Sequence, residues 1–183
     1  MKAVVVYESM YGNTHLVAEA IAAGLRQNGD GSVTVVSVQD AGPDVLDGAD
    51  MLVVGGPTHM HGMSRESTRK AAVDAAQKPD SNLSLDPDAE GPGLRDWFDG
   101  LGQFAGKTAA FDTRMKGPAA LTGRASKGIA QRLREHGAAL VVDPQSFLVT
   151  KENHLLEHEE QHAQEWGEQL ATTFVDSVRS VDS

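Results

Sequence analysis

The sequence predicts an α/β fold with a doubly wound, five-stranded parallel sheet and helices on both faces. Short runs rich in β-branched residues alternate with longer segments of helical periodicity. The strand runs are apolar at nearly every position, which is typical of parallel strands covered on both faces. Because crossovers between parallel strands are right-handed, only a few doubly wound strand orders remain.

Five strands and four long helices are predicted in alternation. The strand runs are residues 3–7, 33–38, 51–55, 107–111 and 138–142, with 147–149 behind the last of them. The helical segments carry apolar residues three and four positions apart and are residues 13–27, 64–77, 119–136 and 157–178. These elements cover most of the chain, so we predict a single domain over residues 1–183.

One segment, at about residues 78–93, interrupts this alternation. It is rich in Pro, Asp, Ser and Gly and has no periodicity, so we predict a surface excursion. A short amphipathic helix at residues 94–101 follows it, because Leu94, Trp97 and Leu101 fall on one side.

Composition limits the classes of function. The 183 residues are 40% apolar, carry a formal net charge of −10 and include no cysteine. Without cysteine there is no disulfide, thiolate nucleophile or Cys-ligated metal, so a redox role would need a bound cofactor. The acidic balance argues against nucleic-acid binding and favours a basic partner protein. Neither a leader nor an apolar run of about eighteen residues is seen, so we expect a cytoplasmic protein that does not bind membranes.

A small, hydroxyl-rich loop joins the first strand to the first helix. The start of a helix leaves backbone N–H groups unpaired and carries the positive end of the peptide dipole, so it can hold a phosphate. Glycine lets the backbone approach the ligand closely. The predicted phosphate-binding residues are Ser9, Met10, Tyr11, Gly12, Asn13 and Thr14.

Two further strands end at the same edge of the predicted sheet, where open parallel sheets bind ligands. These strand ends are suited to the rim and face of a planar ring. The residues predicted after the third strand are Pro57, Thr58, His59, Met60, His61 and Gly62. Those predicted at the end of the fourth strand are Phe111, Asp112, Thr113 and Arg114.

Other ligand classes match less well. The glycines of a dinucleotide-binding loop and the Gly-Lys of a P-loop are absent after the first strand. A phospho-receiver domain needs an aspartate where this chain has Gly55 and Gly56. His158 and His162 are spaced to share a helical face, but no third ligand accompanies them, so we predict no metal site. No set of catalytic side chains is evident.

The Ser-x-Tyr-Gly-Asn-Thr loop between strand and helix resembles the phosphate loop of the flavodoxin family. Gly-Pro-Thr after the third strand is similar to the flavin loop of WrbA-type quinone reductases, and the whole pattern resembles short actinobacterial flavodoxin-like proteins. This resemblance implies FMN and the strand order 2-1-3-4-5. It places the phosphate at residues 9–14, with Tyr11 contributing its N–H rather than its hydroxyl. It places the flavin ring between residues 57–62 and 111–114.

Three function classes follow from the resemblance. The acidic charge and small size favour an FMN-carrying electron-transfer protein that serves redox partner proteins. The Gly-Pro-Thr loop, the lack of Trp or Tyr on the two flavin loops, and Arg114 favour the alternative, an NAD(P)H-dependent quinone oxidoreductase. A flavin-binding regulatory module is the third class. The cation of Arg114 beside the ring predicts a flavin that is easier to reduce than in low-potential carriers.

Overall fold

A computed structural model describes residues 1–27 and 31–179. The predicted single domain also includes residues 28–30 and 180–183, which lie outside the described residues. The strands are β1 (Lys2–Tyr7), β2 (Ser32–Ser37), β3 (Met51–His59), β4 (Gly62–Met63), β5 (Lys107–Met115), β6 (Ala139–Leu140) and β7 (Gln145–Val149).

The main sheet is parallel. Its order is β2-β1-β3-β5, and β6 and β7 both pair with the far edge of β5. These two short strands together occupy the fifth place, so the predicted order 2-1-3-4-5 is confirmed. The small strand β4 is an addition that pairs antiparallel with the end of β3.

Helices cover both faces of this sheet. They are α1 (Asn13–Gln27), α2 (Pro43–Leu46), α3 (Glu66–Ala76), α4 (Leu94–Gly100), α5 (Ala119–Thr122), α6 (Ala125–Glu135) and α7 (Glu159–Arg179). Alternate residues of each central strand face opposite layers. Val5 and Val53 pack with α1 and α7 on one face, whereas Val6 and Val54 pack with α4 and α6 on the other. None of the helices in the described residues has the length and apolar character needed to cross a membrane.

Two central strands run further than the sequence predicts. The third and fourth strands were predicted to end at residues 55 and 111, but β3 ends at His59 and β5 at Met115. Parallel pairing continues because β5 has neighbours on both sides: Pro57 pairs with Thr113, and Met115 pairs with Val149. Residues 112–114, which the prediction places after the fourth strand, therefore belong to β5, and their side chains alternate between the two faces of the sheet.

The helix predicted at residues 119–136 is two helices. Gly123 has a φ of 77° and ends α5, and Arg124 is extended before α6 begins. The predicted pairing of two histidines on one helical face is also wrong. His158 has a φ of 70° and precedes α7, whereas His162 lies within that helix.

Candidate functional site

The loop after β1 turns sharply into α1. Gly12 has a φ of 88°, a left-handed conformation that glycine adopts without steric cost, and its N–H donates to Ser9 Oγ at 3.1 Å. The first helical amides, at Asn13 and Thr14, have no intrahelical acceptor because they precede the first complete turn. This geometry leaves donors at the positive end of α1, as a phosphate site requires.

Most side chains of this loop hold its shape. Met10 is buried and packs against Ala72 and Ala89. The Tyr11 hydroxyl donates to the carbonyl of Ala72 at 2.9 Å, so it is engaged with α3. Asn13 Nδ2 donates to the carbonyl of Asn153 at 2.9 Å. The loop is thus tied to α3 on one side and to the segment after β7 on the other.

The ends of β3 and β5 continue the site. The Thr113 and Thr14 hydroxyls lie 2.7 Å apart and are buried, which joins the end of β5 to the first turn of α1. Thr58 Oγ1 accepts the N–H of Ala125 at 2.9 Å, so it caps α6. His59 lines the same space, and burial, followed by the charge of Arg69, lowers the pKa of its imidazole. The lowered pKa favours the neutral form of the His59 imidazole.

Arg114 brings a cation to the site. Its Nη1 donates to the carbonyl of Gly117 at 2.9 Å and to Thr122 Oγ1 at 3.0 Å. Its Nε is buried and has no acceptor among the described residues. Because a buried N–H donor without an acceptor is costly, this atom is suited to an acceptor supplied by a ligand.

A cavity of about 200 Å³ joins these strand ends. Ten of the predicted site residues line it: Ser9, Met10, Tyr11, Asn13, Thr14, Pro57, Thr58, His59, Thr113 and Arg114. Five further residues complete the lining: Met115, Val149, Thr150, Lys151 and Asn153. Four of these five follow from β7, and the same strand-end rule could have found them, since β7 ends at the same edge.

Six predicted residues do not line this cavity. Phe111 is fully buried and packs with Phe147 and Trp166, because the pleat of β5 turns it into the core. Asp112 is fully buried and its Oδ2 accepts the N–H of Ser126 at 2.7 Å. Burial raises the pKa of Asp112, although the N–H of Ser126 opposes this. The other four residues are Gly12, Met60, His61 and Gly62.

A tight hairpin carries three of those residues beyond the cavity. His59 pairs with Gly62 across a two-residue turn, and Met60 and His61 have φ values of 45° and 74°. Positive φ at both central residues is the pattern of a type I′ turn, which fits the twist of a hairpin. Met60 lies at the tip of this hairpin and is 85% exposed.

The excursion at residues 78–93 packs beside the phosphate loop. The N–H of Asp86 donates to the carbonyl of Met10 at 2.8 Å, and its buried carboxylate lies 3.3 Å from Nδ1 of His15. His15 stacks on Tyr7 with ring centroids 4.4 Å apart. Burial and the charge of Asp86 raise the pKa of Tyr7 to about 12. The excursion therefore contacts the phosphate loop through Asp86, but none of its residues lines the candidate cavity.

A larger groove, of about 680 Å³, lies between α2 and α4. Trp97, Leu101 and Phe104 form its apolar wall, and it includes none of the predicted site residues. Its lining has no hydroxyl or cationic side chain, and its charged residues are Asp47 and Asp96, so the smaller cavity is the stronger candidate site for a phosphate.

Comparison with known proteins identifies the family. The flavodoxin family model matches residues 5–166. The chain belongs to the flavodoxin family. The match spans every element from β1 into α7, including the loop after β1 and the ends of β3 and β5 that line the cavity. No curated protein sequence matches the chain.

Solved structures of flavodoxins are similar throughout. A flavodoxin from the domain Archaea is 24% identical with a TM-score of 0.63, over 95% of this chain and 99% of that chain. Oxidised Flavodoxin 1 from Bacillus cereus is 20% identical with a TM-score of 0.62, over 96% and 98%. A WrbA-like flavodoxin from Agrobacterium tumefaciens is 24% identical with a TM-score of 0.60, also over 96% and 98%. At these identities the likeness shows the fold alone.

Family membership implies FMN, and the residues present fit its phosphate end. The free amides of α1, the hydroxyls of Ser9 and Thr14, and the cations of Arg114 and Lys151 are donors suited to a phosphate and a polyol. The buried Nε of Arg114, which has no acceptor among the described residues, adds one more donor to this set. Apart from Tyr11 and His59 the lining has no aromatic side chain, so aliphatic and hydroxyl side chains dominate its walls.

Proposed function

We propose that this protein binds FMN in the cavity at the carboxyl edge of the sheet and transfers electrons between partner proteins. Bound FMN would supply the redox chemistry, since the chain has no cysteine and its described residues contain no group of three metal-binding side chains. One observation carries the proposal. The phosphate loop that turns at Gly12, the hydrogen-bonded pair Thr14–Thr113 and Arg114 all lie around the same cavity.

The size of the cavity indicates which part of FMN it can enclose. A volume of about 200 Å³ is below the ~300–1,000 Å³ typical of pockets that enclose a whole ligand. It suits a phosphate and a short polyol chain, and it leaves a planar ring at the rim. Pro57 and His59 line the cavity from β3, and Arg114 and Met115 line it from β5, so we expect the ring to meet these strand ends.

Arg114 has a specific role in this proposal. Its guanidinium is held by Gly117 and Thr122, so its positive charge is fixed at the cavity wall. A fixed cation favours the more negative, reduced form of a bound redox group. We therefore expect Arg114→Met to make the flavin harder to reduce, whereas Arg124→Met, at a guanidinium held by Ser146 outside the lining, serves as the matched control.

The second candidate function is an NAD(P)H-dependent quinone oxidoreductase of the WrbA type. Two observations favour it. No Trp or Tyr from β3 or β5 lines the rim, so a flat second substrate could approach the ring. One of the structurally similar proteins, from Agrobacterium tumefaciens, is itself WrbA-like.

Reconstitution with FMN separates the two candidates. The protein is loaded with FMN, freed of excess, and mixed with NADPH and benzoquinone. A carrier retains its flavin, accepts electrons from dithionite and does not consume NADPH. Rapid NADPH consumption that depends on benzoquinone would instead establish the reductase. Failure to retain FMN, with no rise in Tm on adding it, would contradict both.

A further inference from the structure

Positive charge is concentrated in one stretch of this acidic chain. The whole sequence has 26 Asp and Glu against 16 Lys and Arg. Between Asp112 and Glu135, however, there is no acidic residue at all. The basic residues of that stretch are Arg114, Lys116, Arg124, Lys127, Arg132 and Arg134. The local charge there is opposite to that of the molecule.

This stretch lies beside the candidate cavity. Ala125, the first residue of α6, donates its N–H to Thr58 of the cavity lining. Lys116 follows the end of β5, and Lys127 lies in the first turn of α6. Both lysines are exposed, and neither pairs with a carboxylate in residues 1–27 or 31–179.

Helix stability does not explain the position of Lys127. Cations stabilise the C-terminal end of a helix and are unfavourable at the N-terminal end. Arg132 and Arg134 lie in the last turn of α6, where they are favourable, and Arg132 also pairs with Asp99 at 2.6 Å. Lys127 lies in a first turn that has no acidic residue to offset it. Helix stability therefore does not account for the charge of Lys127.

Three exposed apolar side chains belong to the segments that neighbour these cations in sequence or across the His61–Gly123 bridge. Met60 is 85% exposed, Leu121 is 71% exposed and Met115 is 46% exposed. The backbone of His61 bridges to Gly123, which sets the hairpin tip against the end of α5. Grouped, exposed apolar residues rimmed by charge are typical of protein interaction sites. We name Met60, Met115, Lys116, Leu121 and Lys127 the basic face.

We propose that the basic face docks an acidic redox protein over the mouth of the cavity. The inference rests on the proposed function, because an electron-transfer partner must approach the flavin. The net charge of −10 predicts a basic partner, but screening limits surface charges to about 8 Å at physiological ionic strength. The local charge at the contact therefore matters more than the net charge, and Lys116 and Lys127 carry the local charge of the basic face.

Titration calorimetry with two probes tests the inference. The probes are a plant-type [2Fe–2S] ferredoxin, which is small and acidic, and cytochrome c, which is small and basic. Both are titrated into FMN-free and FMN-loaded protein at fixed, low ionic strength. Amide chemical shifts of the same samples then locate the contact. We expect ferredoxin to bind more tightly than cytochrome c, with shifts confined to the basic face and its neighbours.

A matched pair of variants separates local charge from net charge. Lys116→Glu with Lys127→Glu reverses two charges on the basic face. Lys70→Glu with Lys78→Glu makes the same change in net charge at exposed sites around α3. We expect the first pair to weaken ferredoxin binding about tenfold or more, and the second less than about twofold. Leu121→Ser should weaken binding without any change in charge.

Each outcome has a distinct meaning. Tighter binding of cytochrome c, equal effects of the two variant pairs, or no ferredoxin binding would overturn the inference. Binding to phosphatidylserine vesicles in place of ferredoxin, lost in the Lys116 and Lys127 variant, would also overturn it. FMN binding without docking refutes this inference alone. Docking by a protein that binds no FMN refutes the proposed function alone.

Discussion

Replacing Gly12 by alanine isolates the conformation of the phosphate loop. A Cβ at this position has room, since its nearest heavy atom would be an Asp86 carboxylate oxygen at 4.0 Å. The cost is therefore conformational: the φ of 88° disfavours any L side chain by about 1–2 kcal/mol. If the loop keeps its shape, this cost appears as lost stability. If it relaxes, the cost appears as weaker FMN binding, by roughly 5–30-fold.

Thermal unfolding measures the loss of stability, and FMN titration of the same samples measures the loss of affinity. A loss of 1–2 kcal/mol corresponds to a fall in Tm of about 2–8 °C for a chain of this size. Gly42→Ala is the matched control, because Gly42 has a φ of −75° and no atom within 4 Å of an added Cβ. If Gly12→Ala changes neither quantity, or Gly42→Ala changes them equally, the reasoning about this loop is refuted.

Three further substitutions test separate contacts. Glu8→Gln should flatten the dependence of stability on pH: burial raises the pKa of Glu8 above its usual 4.5, so the wild type loses stability as pH rises through that pKa. The unfolding free energies of both proteins are measured by denaturant titration from pH 4 to 8. If they change with pH equally in the variant and the wild type, this reasoning is contradicted. Tyr11→Phe should lower the free energy of unfolding by about 0.5–1.5 kcal/mol, because it removes the hydrogen bond to the Ala72 carbonyl, and should leave FMN affinity unchanged. A loss of FMN affinity would instead show that the hydroxyl contacts the ligand. Gly123→Ala should displace the hairpin, since its Cβ would lie 2.2 Å from the Cα of His61; unchanged amide shifts there would refute the contact.

The fold was largely predictable because its signals are local. Apolar runs in the central strands and glycine at the first turn specify a parallel sheet with a phosphate loop at one edge. The lengths of β3 and β5 were not predictable in the same way. Both strands continue because each finds a partner far along the chain, as Met115 does with Val149. Sequence periodicity does not report such pairing.

The candidate site was predictable where the backbone defines it and less so where side chains do. The loop at residues 9–14 was found from its position between a strand and a helix. The prediction places Phe111 and Asp112 at the ring because the fourth strand is predicted to end there, but β5 continues to Met115 and its pleat turns both side chains into the interior. The prediction omitted Lys151 because it did not extend the strand-end rule to β7. Asp86 contacts the phosphate loop without lining the cavity, and it lies in the excursion, where the sequence has no periodicity that would predict such a contact.

Parallel titrations with FMN and riboflavin test the central claim most directly, because the two ligands differ only in the phosphate. If the amides of α1 hold that phosphate, two hydrogen bonds to a charged group at about 1.5 kcal/mol each should make FMN bind about a hundredfold more tightly. Calorimetry or quenching of flavin fluorescence measures both affinities. Equal affinities for FMN and riboflavin, or binding of neither, would contradict the account.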